Sequence, residues 1–113
     1  MQMNLTEMIR ESERLSALID SGINTLVRAS KDMAHAEHAL RKATAVAWAA
    51  APSGTVPFKE AWVESQTADE KLAFELGETE RYNALEAVRS RRAQLSAIQS
   101  IMAAHRAEAE LMH

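Results

Sequence analysis

Apolar residues recur along the first half of the chain in one unbroken heptad register. Leu5, Ser12, Ile19, Leu26, Met33, Leu40 and Ala47 hold one core position, and Met8, Leu15, Gly22, Ala29, Ala36, Ala43 and Ala50 hold the other. A 3.5-residue repeat kept over this distance predicts a long helix with a narrow apolar seam turned towards a partner helix. From residue 29 onward the second position holds only alanine. Small side chains there let a partner come close, so the seam predicts a tight helix pair.

Local signals set the ends of the elements. Asn4 with Glu7 three residues later forms a capping-box pattern, which starts a helix at about Leu5. Ser21-Gly22-Ile23-Asn24 is the natural break, because Gly costs roughly 1 kcal/mol inside a helix. The heptad nevertheless keeps its phase through Gly22, so the reading is helices at about 5–21 and 23–51 that nearly share an axis, or one long bent helix. Pro52 stops the second of these, Ser53-Gly54-Thr55-Val56-Pro57 supplies the turn at 52–56, and a return helix follows over about 57–110. Thr67-Ala68-Asp69-Glu70 repeats the capping-box pattern and marks a kink or restart near residue 67.

On a helical wheel the return segment has two apolar sides. Phe58, Ala61, Leu72, Leu76, Thr79 and Ile101 lie on one, and Leu85, Val88, Leu95 and Met102 are rotated by roughly a quarter to a half turn from them. One hairpin partner cannot cover both. The expected fold is therefore an all-α long helical hairpin, coiled-coil-like and oligomeric, with residues 1–113 as one helical domain. Leu26, Met33, Leu40, Trp62, Leu72, Leu76, Leu85, Val88, Leu95 and Met102 are the residues expected to pack the hairpin or its subunit contacts.

Composition supports helix and narrows the chemistry. Among 113 residues there are only 3 Gly and 2 Pro, and no Cys, which excludes a disulfide framework and thiolate chemistry and fits a reducing compartment. No apolar run approaches the ~20 residues of a membrane span. Glu7, Glu11 and Glu13 stand where a signal peptide would be apolar, so the expected location is the cytoplasm. The net charge of −3 argues against a strong non-specific nucleic-acid binder. Charge is unevenly spread: −2 over residues 1–22, +2 over 23–50, −5 over 51–86 and +2 over 87–113. Folding the acidic stretch back on the basic one would bring opposite charges together and leave residues 87–113 facing outward.

No residue set forms a catalytic constellation, so the chain reads as a non-enzyme without a cofactor. His35 and His38, two of four histidines, have the spacing of a helix-face pair but lack the further ligands of a structural metal site. The acids of the return helix lack the Glu-x-x-His motifs of a di-metal bundle, and those from Asp69 to Glu86 lie four or fewer residues from Lys71, Arg81 or Arg89, the pattern of a solvated salt-bridged face. Trp48 and Trp62 flank the turn, where they either stack single-stranded bases or close the hairpin end by packing. Arg89-Ser90-Arg91-Arg92 is the densest basic cluster, open to phosphate contact or to pairing with acids such as Glu86.

Arg41-Lys42-Ala43-Thr44-Ala45-Val46-Ala47-Trp48 through Pro52-Ser53-Gly54, with Leu95-Ser96-Ala97-Ile98-Gln99-Ser100 as a second match, resembles the UvsY-type recombination mediators of T-even bacteriophages and the small helical proteins of other phage recombination cassettes. The resemblance spans roughly residues 30–106. It implies a non-enzymatic, phage-encoded DNA-recombination accessory that assembles into rings, binds single-stranded DNA weakly, and contacts a recombinase or single-strand-binding protein. Arg41 and Lys42 match the family's basic residues before the turn, whereas Val46 and Trp48 stand where its DNA-contacting pair would align. Arg41, Lys42, Trp48, Arg89, Arg91 and Arg92 are then the expected DNA-binding residues. The alternative is a protein-interaction module, such as a phage-encoded inhibitor or adaptor of a host protein, that binds no DNA.

Overall fold

The computed structural model describes residues 3–112. Every regular element among them is a helix: α1 is Leu5–Ala50, α2 is Val56–Gln66 and α3 is Ala68–Leu111. The protein is an all-α helical hairpin.

The start of α1 follows the sequence closely. The Asn4 backbone N–H donates to Glu7 Oε2 at 3.2 Å and the Glu7 N–H donates to Asn4 Oδ1 at 2.8 Å, so the capping box is reciprocal. Of the two arrangements the sequence left open at residues 21–24, the uninterrupted helix is the one present: α1 is one helix of 46 residues. Gly22 is buried, and a Cβ there would stand 3.0 Å from Val88 Cγ2. Its place is explained by the approach of α3 rather than by a turn. At the far end the Ala51 N–H bonds the Trp48 carbonyl at 3.3 Å, a tightened last turn ahead of Pro52.

The return segment starts one residue earlier than expected and is divided. Thr55 caps α2, its hydroxyl accepting the Phe58 N–H at 3.3 Å, and Pro57 sits in the first turn, where a missing N–H leaves nothing unpaired. The second capping box does not form. The Thr67 hydroxyl donates instead to the Val63 carbonyl at 2.9 Å, because Thr67 is buried and four residues past an open carbonyl. The division at Thr67 is slight, since Thr67 N–H to Val63 O and Lys71 N–H to Thr67 O are both 3.0 Å.

Contacts group the chain into two compact units, where the sequence reading takes one domain. One unit joins the chain up to Thr25 with the chain from Ala84 on. Its buried apolar residues are Met8, Leu15, Ile19, Val88 and Met102, with Leu15 the most enclosed at 1% exposure. Arg91 lies across from Leu18 and Val88 across from Gly22, so the two helical segments are antiparallel.

The other unit is Leu26–Asn83. It buries smaller residues, Ala29, Ala47, Val63 and Thr67, with Leu26, Met33, Leu40 and Phe74 half-buried. Gly77 lies against Met33 and Arg81 against Ser30, again antiparallel. The alanine stripe meets a helix that also has a glycine at the contact, which is how the close approach expected from residue 29 onward is achieved.

The heptad positions of α1 read from the sequence are buried or half-buried from Met8 to Ala47, joined by flanking residues such as Leu18 and Ser30, and the repeat fades at its ends, where Leu5 and Ala50 are exposed. On α2 and α3 the inward positions step by four and three from Val63 through Thr67, Glu70, Phe74, Gly77, Arg81, Ala84, Val88, Arg91, Leu95 and Ile98 to Met102. Of the two apolar sides read from the wheel, the one with Val88, Leu95 and Met102 is the inward one. Phe58, Ala61, Leu72, Leu76, Thr79 and Ile101 are all exposed, and the seam runs through the other side.

Candidate interaction surface

The basic cluster of the return helix is split by the seam. Arg91 occupies an inward position between Ala84 and Ile98; it is half-buried, and its Nη1 donates to the Leu18 carbonyl at 3.3 Å. Arg89 faces outward and pairs with Glu86 at 3.0 Å, and Arg92 is exposed. The three arginines therefore do not make one phosphate-binding face. Their heptad phase was the available signal, since Arg91 lies one repeat beyond Ala84. We expect Arg91→Ala to remove both the hydrogen bond and the packed stem, at about 1 kcal/mol, and Arg92→Ala to leave the melting temperature unchanged. Thermal melts of the two variants check this.

Arg41 and Trp48 lie two turns apart on the outer face of α1. Arg41 is paired with Glu37 at 2.6 Å in an exposed i,i+4 bridge, Lys42 is exposed, and Trp48 is 43% exposed. Trp48 lines an open hollow of about 330 Å³ with Leu40, Glu60, Val63 and Lys71. Trp62 is half-buried and does not line it.

Of the expected packing residues, Val88 and Met102 are buried, and Leu26, Met33, Leu40, Leu85 and Leu95 are half-buried. Leu72 and Leu76 are instead 55% and 56% exposed. With Phe58 and Trp62 they form an apolar stripe on the side of α2 and α3 away from the seam, bordered by exposed Asp69, Glu75, Glu78 and Glu80.

The basic and acidic stretches do not neutralise each other by direct pairing. Among the described residues the three ion pairs, Glu11–Arg14, Glu37–Arg41 and Glu86–Arg89, each lie within one helix. The Arg14 guanidinium, by its hydrogen bond and then its charge, holds the Glu11 carboxyl below the usual carboxylate range. What crosses between helices is neutral at one end: Arg81 Nε to Ser30 Oγ at 3.2 Å, and Arg91 to a backbone carbonyl. The charges expected to meet inside the hairpin do not pair across it, because most of its seam positions hold apolar or small residues.

His35 and His38 are exposed, and His113 lies outside the described residues. Among the described residues no three His, Cys, Asp or Glu gather as a metal site would require, and no helix is long and apolar enough to cross a membrane. No family model matches the chain, nor does any curated protein or solved structure.

Proposed function

We propose that this protein is a non-enzymatic protein-interaction module of the cytoplasm, which docks a partner on the outer apolar stripe of α2 and α3. The observation that carries the reading is the exposure of Leu72 and Leu76 one turn apart on a face shared with Phe58 and Trp62. Single exposed leucines are ordinary, whereas several along one helix face are the usual mark of a binding surface. An adaptor or inhibitor that presents a helix face needs this surface and no catalytic group.

A second reading, the phage-type recombination accessory that binds single-stranded DNA, is supported by Trp48, exposed on the same face as Arg41, and by the outward Arg92. It is weakened by the inward Arg91. Fluorescence anisotropy with a single-stranded oligonucleotide at about 50 and 200 mM salt separates the two, since phosphate contact weakens steeply as salt rises. The module reading expects a flat titration at both. It also expects the immobilised chain to retain a protein that a Leu72→Asp, Leu76→Asp variant releases while keeping its helical circular dichroism. Salt-sensitive DNA binding that falls in Trp48→Ala, with no difference in protein retention, would transfer the conclusion to the DNA-binding accessory.

A further inference from the structure

We infer that the occupant of the α2/α3 stripe is a second copy of this chain, presenting the outer face of its α1. This rests on the interaction-module reading and names its partner.

Within the unit Leu26–Asn83 there are two outward stripes of matching length. On α1, Val27, Lys31, Ala34, Arg41 and Ala45 follow steps of three, four or seven on the side away from the seam, with Trp48 ending the row at the hollow it shares with Val63, and all are exposed. On α2 and α3, the stripe from Phe58 to Thr79 covers the same number of residues, roughly 33 Å of helix in each case. The first combines apolar residues with lysine and arginine. The second combines apolar residues with aspartate and glutamate.

Charge decides which stripe covers which. Pairing the α2/α3 stripe with its own copy would set Asp69 and Glu75 of one chain against the same acids of another. Pairing it with α1 sets Asp69 against Arg41 and Lys42 and the Glu78–Glu80 segment against Lys31, and Lys31 and Lys42 form no ion pair among the described residues. Like-charge juxtaposition is the stronger discriminator of the two, because it penalises the wrong partner.

The levels of the helices agree. Met33 opposite Gly77 and Ser30 opposite Arg81 set the vertical register of α1 against α3. A neighbouring copy held side by side in the same direction keeps that register, which brings Arg41 level with Asp69, Ala34 with Leu76, and Lys31 with the segment between Glu78 and Glu80. Ala34 then meets Leu76, Arg41 meets Asp69 and Lys31 meets the Glu78–Glu80 segment, while Leu72 lies level with His38. Because two different faces meet, the association is heterologous, each chain offering one face to each neighbour.

Two surface variants test this by sedimentation. Ala34→Asp with Arg41→Glu spoils only the α1 face, and Leu72→Asp with Leu76→Asp spoils only the α2/α3 face. The parent chain is expected to sediment above the 12.5 kDa of one chain, each variant alone at that mass, and their equal mixture as a species of about twice that mass, since one intact face remains on each. An exchange of charge gives the same test without placing acids in an apolar contact. Arg41→Glu should weaken association about two- to fivefold and Asp69→Lys on the neighbouring chain should restore it. Variants that stay associated alone, or a mixture that stays apart, overturn the inference. A parent chain that is monomeric at micromolar concentration also overturns it, and if retention of a different protein still depends on Leu72 and Leu76, the module reading survives that result.

Discussion

Leu15→Asp is expected to unfold the unit formed by the first part of α1 and the last part of α3. Leu15 is 1% exposed, and the other buried apolar residues of that unit are Met8, Ile19, Val88 and Met102. The inward cation of that unit, Arg91, is already engaged with the Leu18 carbonyl. An ionised group buried without a partner costs several kcal/mol, a large part of the roughly 5–15 kcal/mol by which small domains are stable. Leu15→Ala should cost about 2–5 kcal/mol through the cavity alone. Ala17→Asp, on the exposed side of the same turn, is the control and should melt with the parent. Leu40→Asp should cost less than Leu15→Asp. Leu40 is only half-buried and borders the same open hollow as Lys71, where a carboxylate meets water and a cation. Thermal melts followed by circular dichroism rank the four variants, and a parent-like melt for Leu15→Asp would show that the α1 seam is not buried.

The α1 seam was legible because its positions from Met8 to Ala47 hold residues whose burial is favourable by themselves. The return seam was not, because Glu70, Gly77, Arg81 and Arg91 occupy it and read as surface on any hydrophobicity count. They are tolerated for reasons a wheel does not contain: Arg81 reaches a hydroxyl and Arg91 a carbonyl while their stems cover the neighbouring helix. Leu72 and Leu76, more apolar than the seam beside them, made the second apolar side of the return helix visible, but the wheel alone did not say which of the two sides faces α1. The same limit shaped the candidate sites. Arg89, Arg91 and Arg92 form a cluster in sequence, yet the 100° turn per residue sends Arg91 inward. At Gly22 the sequence held two opposing signals, poor helix propensity and an unbroken heptad phase, and the second prevails because the loss of roughly 1 kcal/mol is offset where the missing side chain admits another helix.

Gly77→Leu is expected to force α1 and α3 apart within Leu26–Asn83. A Cβ on Gly77 would lie 3.3 Å from Met33 Cα and 3.5 Å from Met33 Cβ, so the obstacle is mainly backbone that no rotamer change removes. Replacing glycine inside a helix gains about 0.5–1 kcal/mol, while overpacking a close contact costs typically 1–3 kcal/mol and more for a side chain as large as leucine. The second effect wins, and a net loss of about 2 kcal/mol corresponds to a fall in melting temperature of roughly 8–16 °C. Gly22→Ala is a milder case, since its nearest obstacles are the ends of the Val88 and Arg91 side chains. Ala73→Leu, exposed on the same helix and one turn before Gly77, keeps the added bulk in solvent and should change stability by no more than about 0.5 kcal/mol. Hydrogen exchange places the effect: amide protection should drop in Leu26–Asn83 for Gly77→Leu and hold for Ala73→Leu. Equal melts and equal protection for the two would mean that α1 does not approach α3 at Gly77, and the account of the alanine stripe as a close-contact surface would fall with it.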